Sequence, residues 1–82
     1  MIHVYAIKSL KSNYIYVGQS NNLDERLKRH NNGYERTTKP FRPFVLIHSE
    51  VFEDRISARE REKYLKSGVG KEFLKKIDKI LL

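Results

Sequence analysis

Hydrophobic and polar positions change period along this chain, and the changes mark its elements. From Ile2 to Leu10, the residues Ile2, Val4 and Ala6 alternate with His3, Tyr5 and Ile7. Both parities are apolar or aromatic, which predicts a strand covered on both faces. Lys11-Ser12-Asn13 reads as a short turn. Tyr14 to Gly18 forms the second strand of a hairpin, rich in aromatic and β-branched residues and ended by glycine. Antiparallel pairing can bring Tyr5 and Tyr16 onto neighbouring strands. The period then becomes helical over Asn22 to Asn32. Leu23, Arg26, Leu27 and His30 stand at i, i+3, i+4 and i+7 and share one face. Asn21 or Asn22 can cap this helix, Glu25 lies three residues after Asn22, and Gly33 offers a stop.

Tyr34 to Pro43 reads as a loop whose two prolines oppose regular structure. It carries Arg36, Lys39 and Arg42 against Glu35 alone, a set suited to phosphate-backbone contacts or to plain solvation. Phe44 to Phe52 is a third strand, with Phe44, Leu46 and His48 on one side and Val45, Ile47 and Ser49 on the other. Ser57, with Glu60 three residues on, opens a second helix that runs to about Lys66 and stops at Gly68-Val69-Gly70. A third helix aligns Phe73, Leu74, Ile77, Ile80 and Leu81, and its outer face of Lys71, Lys75, Lys76 and Lys79 reads as solvated. The order ββαβαα predicts an α+β fold, a small antiparallel sheet with helices packed against it, as one domain over residues 1–82.

Two charges sit where apolar residues belong. Arg26 shares the inward stripe of the first helix, and Glu62 shares the stripe Ala58, Arg61, Glu62, Leu65 of the second. A charge facing a core needs a partner. Either Arg26 and Glu62 pair with each other as architecture, or the two await a phosphate and a cation. Magnesium is commonly held by one or two carboxylates and retains several waters. Arginine clamps phosphate oxygens, and tyrosine or histidine can move a proton. Together these groups suffice for one-metal phosphodiester hydrolysis. Gln19, Ser20 and Asn22, at the strand–helix turn, read as capping residues, Tyr14 as core or rim, and Tyr64 as packing.

Composition narrows the partners. Lysine and arginine number 17 against 10 acidic residues, a balance of +7 in 82 residues. Such an excess favours a polyanionic partner, nucleic acid above all. The chain has no cysteine, so disulfides and cysteine-held zinc are excluded. No apolar run is long enough for a membrane span, and no signal peptide is visible, which fits a cytoplasmic protein.

At these residues the chain resembles the GIY-YIG nuclease family. The two signatures stand here as His3-Val4-Tyr5 and Tyr16-Val17-Gly18, the helix arginine as Arg26, the following histidine as His30 and the metal-binding glutamate as Glu62. The likeness covers essentially the whole chain and is strongest to small stand-alone bacterial members. It implies a three-stranded antiparallel sheet flanked by helices, and a DNA endonuclease with a role such as DNA repair. It also implies one Mg2+ or Mn2+ ion on Glu62, with Tyr5, Tyr16, Arg26 and His30 around the scissile phosphate of DNA, with branched or damaged DNA as an expected substrate. Either tyrosine can be the base. The first glycine of the family name is His3 here, and no asparagine follows Asn32, where some members use a late one. That departure motivates an alternative, a nucleic-acid-binding module of the same fold without turnover. A third reading is a protein-interaction domain. With so little chain beyond the catalytic module, substrate choice is expected to come from DNA structure or from a protein partner.

Overall fold

The computed structural model describes residues 1–81. Its elements are β1 (Ile2–Ser9), β2 (Ile15–Ser20), α1 (Leu23–Asn31), β3 (Phe44–Phe52), α2 (Arg55–Lys66) and α3 (Gly68–Leu81). The strands form one antiparallel sheet in the order β2-β1-β3. The expected α+β arrangement, ββαβαα with a three-stranded sheet, is therefore the one adopted. Central β1 is covered on both faces, as its two apolar parities require. Ile2, Val4 and Ala6 pack with Val17, Ile47, Ala58, Leu65 and Leu74 beneath α2 and α3. Tyr5 and Ile7 pack with Phe44, Leu23 and Leu27 beneath α1. Among the described residues no helix is long and apolar enough to cross a membrane.

Helix α1 begins and ends where its sequence signals lie. The Asn22 side chain accepts the Glu25 backbone N–H at 3.2 Å. At the other end Gly33 has φ +81°, Tyr34 N–H donates to Arg29 C=O at 2.9 Å, and Gly33 N–H donates to His30 C=O at 3.3 Å. This pair of bonds is the Schellman stop that a left-handed residue permits. Asn31 then fastens α1 to β3 by accepting Phe44 N–H at 2.6 Å and donating to its carbonyl at 3.2 Å.

Four local expectations are corrected. Helix α2 is opened by Asp54, whose carboxylate accepts Ser57 N–H at 2.7 Å, so Ser57 lies one turn inside the helix. A carboxylate next to the positive helix end outcompetes a neutral hydroxyl. In β3 the register shifts between Ala6 and Ile7, which pair with His48 and Leu46 and leave Ile47 as an extra residue. This bulge breaks the alternation. His48 sits with Glu50 and edge-on to Phe73 of α3, away from Phe44 and Leu46. The stop after α2 is Ser67 alone, and Gly68 and Gly70 belong to the first turn of α3. Within α3, Leu74 is buried and Ile77 packs on the core, but Phe73 and Ile80 are exposed; the side chain of Leu81 lies outside the described residues. The loop between α1 and β3 also forms one 3-10 turn, Lys39–Phe41, around Pro40.

Gly70 lets α3 fold back against α2. A Cβ there would stand 2.5 Å from Leu65 Cα and would overlap the Tyr64 carbonyl. Both are backbone groups of a packed helix and cannot yield. Replacing glycine by alanine within a helix ordinarily stabilises by up to about 1 kcal/mol. Here Gly70→Ala is expected to destabilise by about 1–3 kcal/mol, since overpacking outweighs propensity. Gly68→Ala, with no atom within 4 Å of its Cβ, is expected to be neutral or slightly stabilising. Thermal denaturation of both variants against the parent checks the contrast.

Candidate functional site

Strand alternation sorts the candidate residues into two groups divided by β2. Tyr14, Tyr16 and Gly18 face α1, and Ile15, Val17 and Gln19 face α2 and α3. On the α1 side the register sets Tyr5 opposite Gly18, with Tyr16 diagonal to it opposite Ile7. The Tyr5 and Tyr16 ring centroids are 6.3 Å apart, and His30 lies 5.8 Å from the first and 5.0 Å from the second. A Cβ on Gly18 would sit 2.9 Å from both the Tyr5 hydroxyl and a Tyr16 ring carbon. Glycine is required here because two aromatic rings converge over its Cα.

His30 is buried and bonded at both ring nitrogens. Its Nε2 lies 2.8 Å from the Tyr5 hydroxyl, and its Nδ1 lies 2.8 Å from Thr38 Oγ1. The Thr38 hydroxyl donates its own proton to the Glu35 carbonyl at 3.4 Å. Thr38 must therefore accept from Nδ1–H, which leaves Nε2 as acceptor for the Tyr5 proton. Burial holds His30 below the ordinary histidine range, with the Arg26 and Arg29 charges acting in the same direction and Glu35 against it. Burial also drives the Tyr5 phenol well above its ordinary value, an effect that the nearby Arg26 guanidinium only partly offsets. Tyr5 is thus a neutral donor fixed on a neutral imidazole. At 0% exposure it is closed to solvent, whereas Tyr16 is only half-buried.

Arg26 lies at the edge of this cluster, its side chain 37% exposed. Its protein anion is Glu35, but at 4.0 Å, whereas Arg29 holds the same carboxylate oxygen at 2.8 Å. The hydrogen bond from Arg29 keeps Glu35 below the usual carboxylate range. Arg26 opens onto a polar notch of about 150 Å³ that it shares with Ser20, Asn22 and Arg29. Arg36, Lys39 and Arg42 are exposed on the following loop; Arg42 and Lys39 lie over Gly33 at the end of α1.

Glu62 occupies the other side of β2. Ala58 and Leu65 of its stripe are buried, and the Glu62 side chain is 17% exposed. The architectural pairing of Glu62 with Arg26 does not form. Glu62 Oε1 instead accepts from Gln19 Nε2 at 2.7 Å, and Oε2 pairs with Lys66 Nζ at 2.9 Å. Gln19 is therefore no cap; it reaches across from β2 to orient the carboxylate. Its other atom, Oε1, is buried with no hydrogen-bond partner among the described residues. One carboxylate and one unused amide oxygen make an oxygen donor set of the kind a hard divalent cation takes. No three His, Cys, Asp or Glu residues among those described converge to hold a metal, so any ion here would depend heavily on water and substrate oxygens.

The remaining polar candidates have structural roles. Ser20 accepts Asn22 N–H at 3.0 Å within the turn, while Tyr14 stacks on Phe41 at 4.1 Å. Tyr64 is exposed under the Arg61 guanidinium rather than packed in the core. His48 and Arg61 both bond Glu50, at 2.7 Å and 2.9 Å. Gln19, Thr38 and Lys66 are the site residues that helical and strand periodicity did not single out. Each acts through a partner distant in sequence, so no local spacing reveals it.

The fold and these positions define a member of the GIY-YIG nuclease family, and the chain belongs to it: the family's catalytic-domain model matches residues 1–77. Among known proteins, the chain is 40% identical to a UPF0213 protein of Clostridium perfringens, over 80% of this chain and 71% of that one. It is 35% identical to a UPF0213 protein of Staphylococcus haemolyticus, over 93% of both. The solution NMR structure of a UPF0213 protein from Bacillus halodurans matches 94% of this chain and 85% of its own, with TM-score 0.55 and 27% identity.

The buried neutral His30 makes stability depend on pH. Its folded pKa is depressed, so the unfolded chain binds the proton more readily. The stability associated with neutral His30 is full above the unfolded value of about 6.5 and is lost as pH falls through the folded one. Glu35, Glu50 and Asp54 are also held low and contribute their own loss only in the carboxylate range. Thermal melts between about pH 7.5 and about pH 5, spanning the histidine range, are expected to show a falling Tm that His30→Gln flattens.

Proposed function

We propose that this protein is a metal-dependent DNA endonuclease that hydrolyses phosphodiester bonds with one divalent ion, Mg2+ or Mn2+. One observation carries the reading. Consecutive residues of edge strand β2 anchor both halves of the machinery: Gly18 receives Tyr5 and Tyr16 on one side, and Gln19 holds Glu62 on the other. A phosphodiester laid across this edge meets both.

The cation would be held by Glu62, with Gln19 Oε1 as the second oxygen available from the protein. When bound, it supplies charge stabilisation for the phosphoryl oxygens. Arg26, only loosely held by Glu35, turns its guanidinium to a phosphate oxygen and stabilises the charge that develops. Water adds to phosphorus, the ester P–O bond breaks, and an alcohol and a phosphate monoester leave. Tyr16 is the tyrosine that solvent reaches, so its oxygen takes the proton from the attacking water while its own hydroxyl proton passes to solvent, and a solvent water protonates the departing ester oxygen. Tyr5, closed to solvent and committed to His30, positions Tyr16 and His30. The +7 charge supports DNA as substrate, and Arg36, Lys39 and Arg42 supply further phosphate contacts from the loop. Branched or damaged DNA is the proposed substrate class, with a protein partner adding selectivity.

Lys66 on Glu62 Oε2 favours a second reading, a module that binds DNA without cutting it, because the ammonium already neutralises the carboxylate. Incubation with branched, nicked and duplex DNA plus Mg2+ or Mn2+ separates the two. Glu62→Gln is expected to lower cleavage by about 10²–10³-fold. Tyr16→Phe is expected to lower it by about 10²–10⁴-fold with Tm nearly unchanged. Tyr5→Phe should chiefly lower stability, by about 1–3 kcal/mol, because His30 loses its donor. No cleavage by the parent above the Glu62→Gln control on any substrate rejects turnover.

Gln19 gives an independent check of the cation. A residue that orients a metal ligand typically governs affinity by about 10–100-fold. Gln19→Ala is expected to weaken Mn2+ binding in a calorimetric titration by that factor, and Glu62→Gln to abolish it. Unchanged Mn2+ affinity in both variants would remove the ion from this position.

A further inference from the structure

A second cavity lies on the other side of β2 from Arg26. It is an open groove of about 530 Å³ between the free edge of β2 and helices α2 and α3. Ile15, Val17 and Leu74 make its floor apolar, and Tyr14 and Tyr16 stand along its β2 side. Lys66, Lys71 and Lys75 form its helical rim, and no carboxylate lines it. The sequence assigned Lys71 and Lys75 to a solvated outer face. They are exposed, yet they flank this groove, because Gly70 brings the start of α3 down onto α2 beside β2. Lys75 has only a long contact with Glu72, at 3.8 Å, and no carboxylate stands within 4 Å of Lys71 among the described residues.

We propose that this groove seats an unpaired nucleic-acid strand leading to Glu62. A cationic rim over an apolar floor, bordered by the tyrosine positions of β2, matches the combination that single-strand binding surfaces use. Bases find the apolar floor, and phosphates find the lysines. Lys71 and Lys75 are one helical turn apart, about 6 Å along the axis, a step that suits successive phosphates of an extended strand. Lys66 joins the groove to the proposed cleavage site, since its ammonium also contacts Glu62. The groove is too shallow and too small for a duplex to enter. A protein strand adding to the β2 edge is the rival occupant, but a rim of three lysines, of which Lys66 alone has a close carboxylate partner among the described residues, selects a polyanion. The direction of the strand toward Glu62 rests on the nuclease reading; the seat itself does not.

Fluorescence anisotropy with a labelled, unstructured oligothymidylate tests this in EDTA, where metal-dependent turnover is absent. The Lys71→Gln/Lys75→Gln double variant is expected to bind at least about tenfold more weakly. Its plot of log affinity against log salt should flatten by roughly 0.7 for each lysine removed. Lys79→Gln is expected to match the parent, and melting curves confirm that both variants fold. Parent-like binding and salt dependence in the double variant would overturn the proposal. So would an equal loss of binding to polyglutamate, which would make the rim a general anion surface, or a loss confined to duplex DNA. A failed nuclease reading looks different: no metal-dependent product, with lysine-dependent strand binding intact.

Discussion

The hydrogen bond from Tyr5 to His30 is the contact on which the α1 side of the molecule depends. It joins the middle of β1 to the last turn of α1, and the Nδ1 bond extends the link to Thr38 in the following loop. All three side chains are buried. A buried polar group left unpaired costs about 1–3 kcal/mol, so the chain is stable only when every member is satisfied. That condition fixes one tautomer of His30, one orientation of Tyr5 and one path for the loop. Its direction follows from the last acceptor, the Glu35 backbone carbonyl. Tyr16 has no such partner among the described residues and stays at the surface of the cluster. The two tyrosines differ by environment: Tyr5 is closed to solvent and bonded to His30, whereas Tyr16 is half-buried.

Edge strand β2 organises the remainder. Strand alternation sends neighbouring residues to opposite faces, so Gly18 and Gln19 point their chemistry to different sides. A strand within the sheet would hide both sides under neighbours. At the edge, the backbone is open on its outer flank, and groups from α1 and α2 approach it from the two faces. A thin sheet can thereby hold an arginine and a glutamate on its two sides while keeping their charges separate. Each charge is meanwhile given a partner, Glu35 for Arg26 and Lys66 for Glu62.

Much of this was legible in the residue pattern, and the failures have physical causes. The inward stripe Leu23, Arg26, Leu27, His30 is the set of α1 positions before Asn31 that is not exposed, because a 3.6-residue period leaves no other choice. Ala58, Arg61, Glu62 and Leu65 are the corresponding set in α2. The position of His48 was not legible, because the bulge at Ile47 depends on pairing with β1 and carries no local signal. The partner of Glu62 was not legible either. Gln19 and Glu62 are 43 residues apart, and their meeting depends on how α2 packs on the sheet. In α3 the apolar stripe overstated burial: the domain is too small to cover Phe73 and Ile80.

Lys66 touches both Glu62 and the groove beside β2. Its ammonium stabilises Glu62 by a contact of 2.9 Å, yet half of its side chain is exposed and it also lines the groove. A partly exposed pair of this kind contributes at most about 1 kcal/mol. Exchanging it for a stronger partner on either end is therefore inexpensive. A cation at Glu62 would release Lys66 toward the groove, and a phosphate in the groove would draw it from Glu62. Binding at one place lowers the cost of binding at the other, and by reciprocity each promotes the other. The weakness of this ion pair is what lets a resting carboxylate remain neutralised without being blocked.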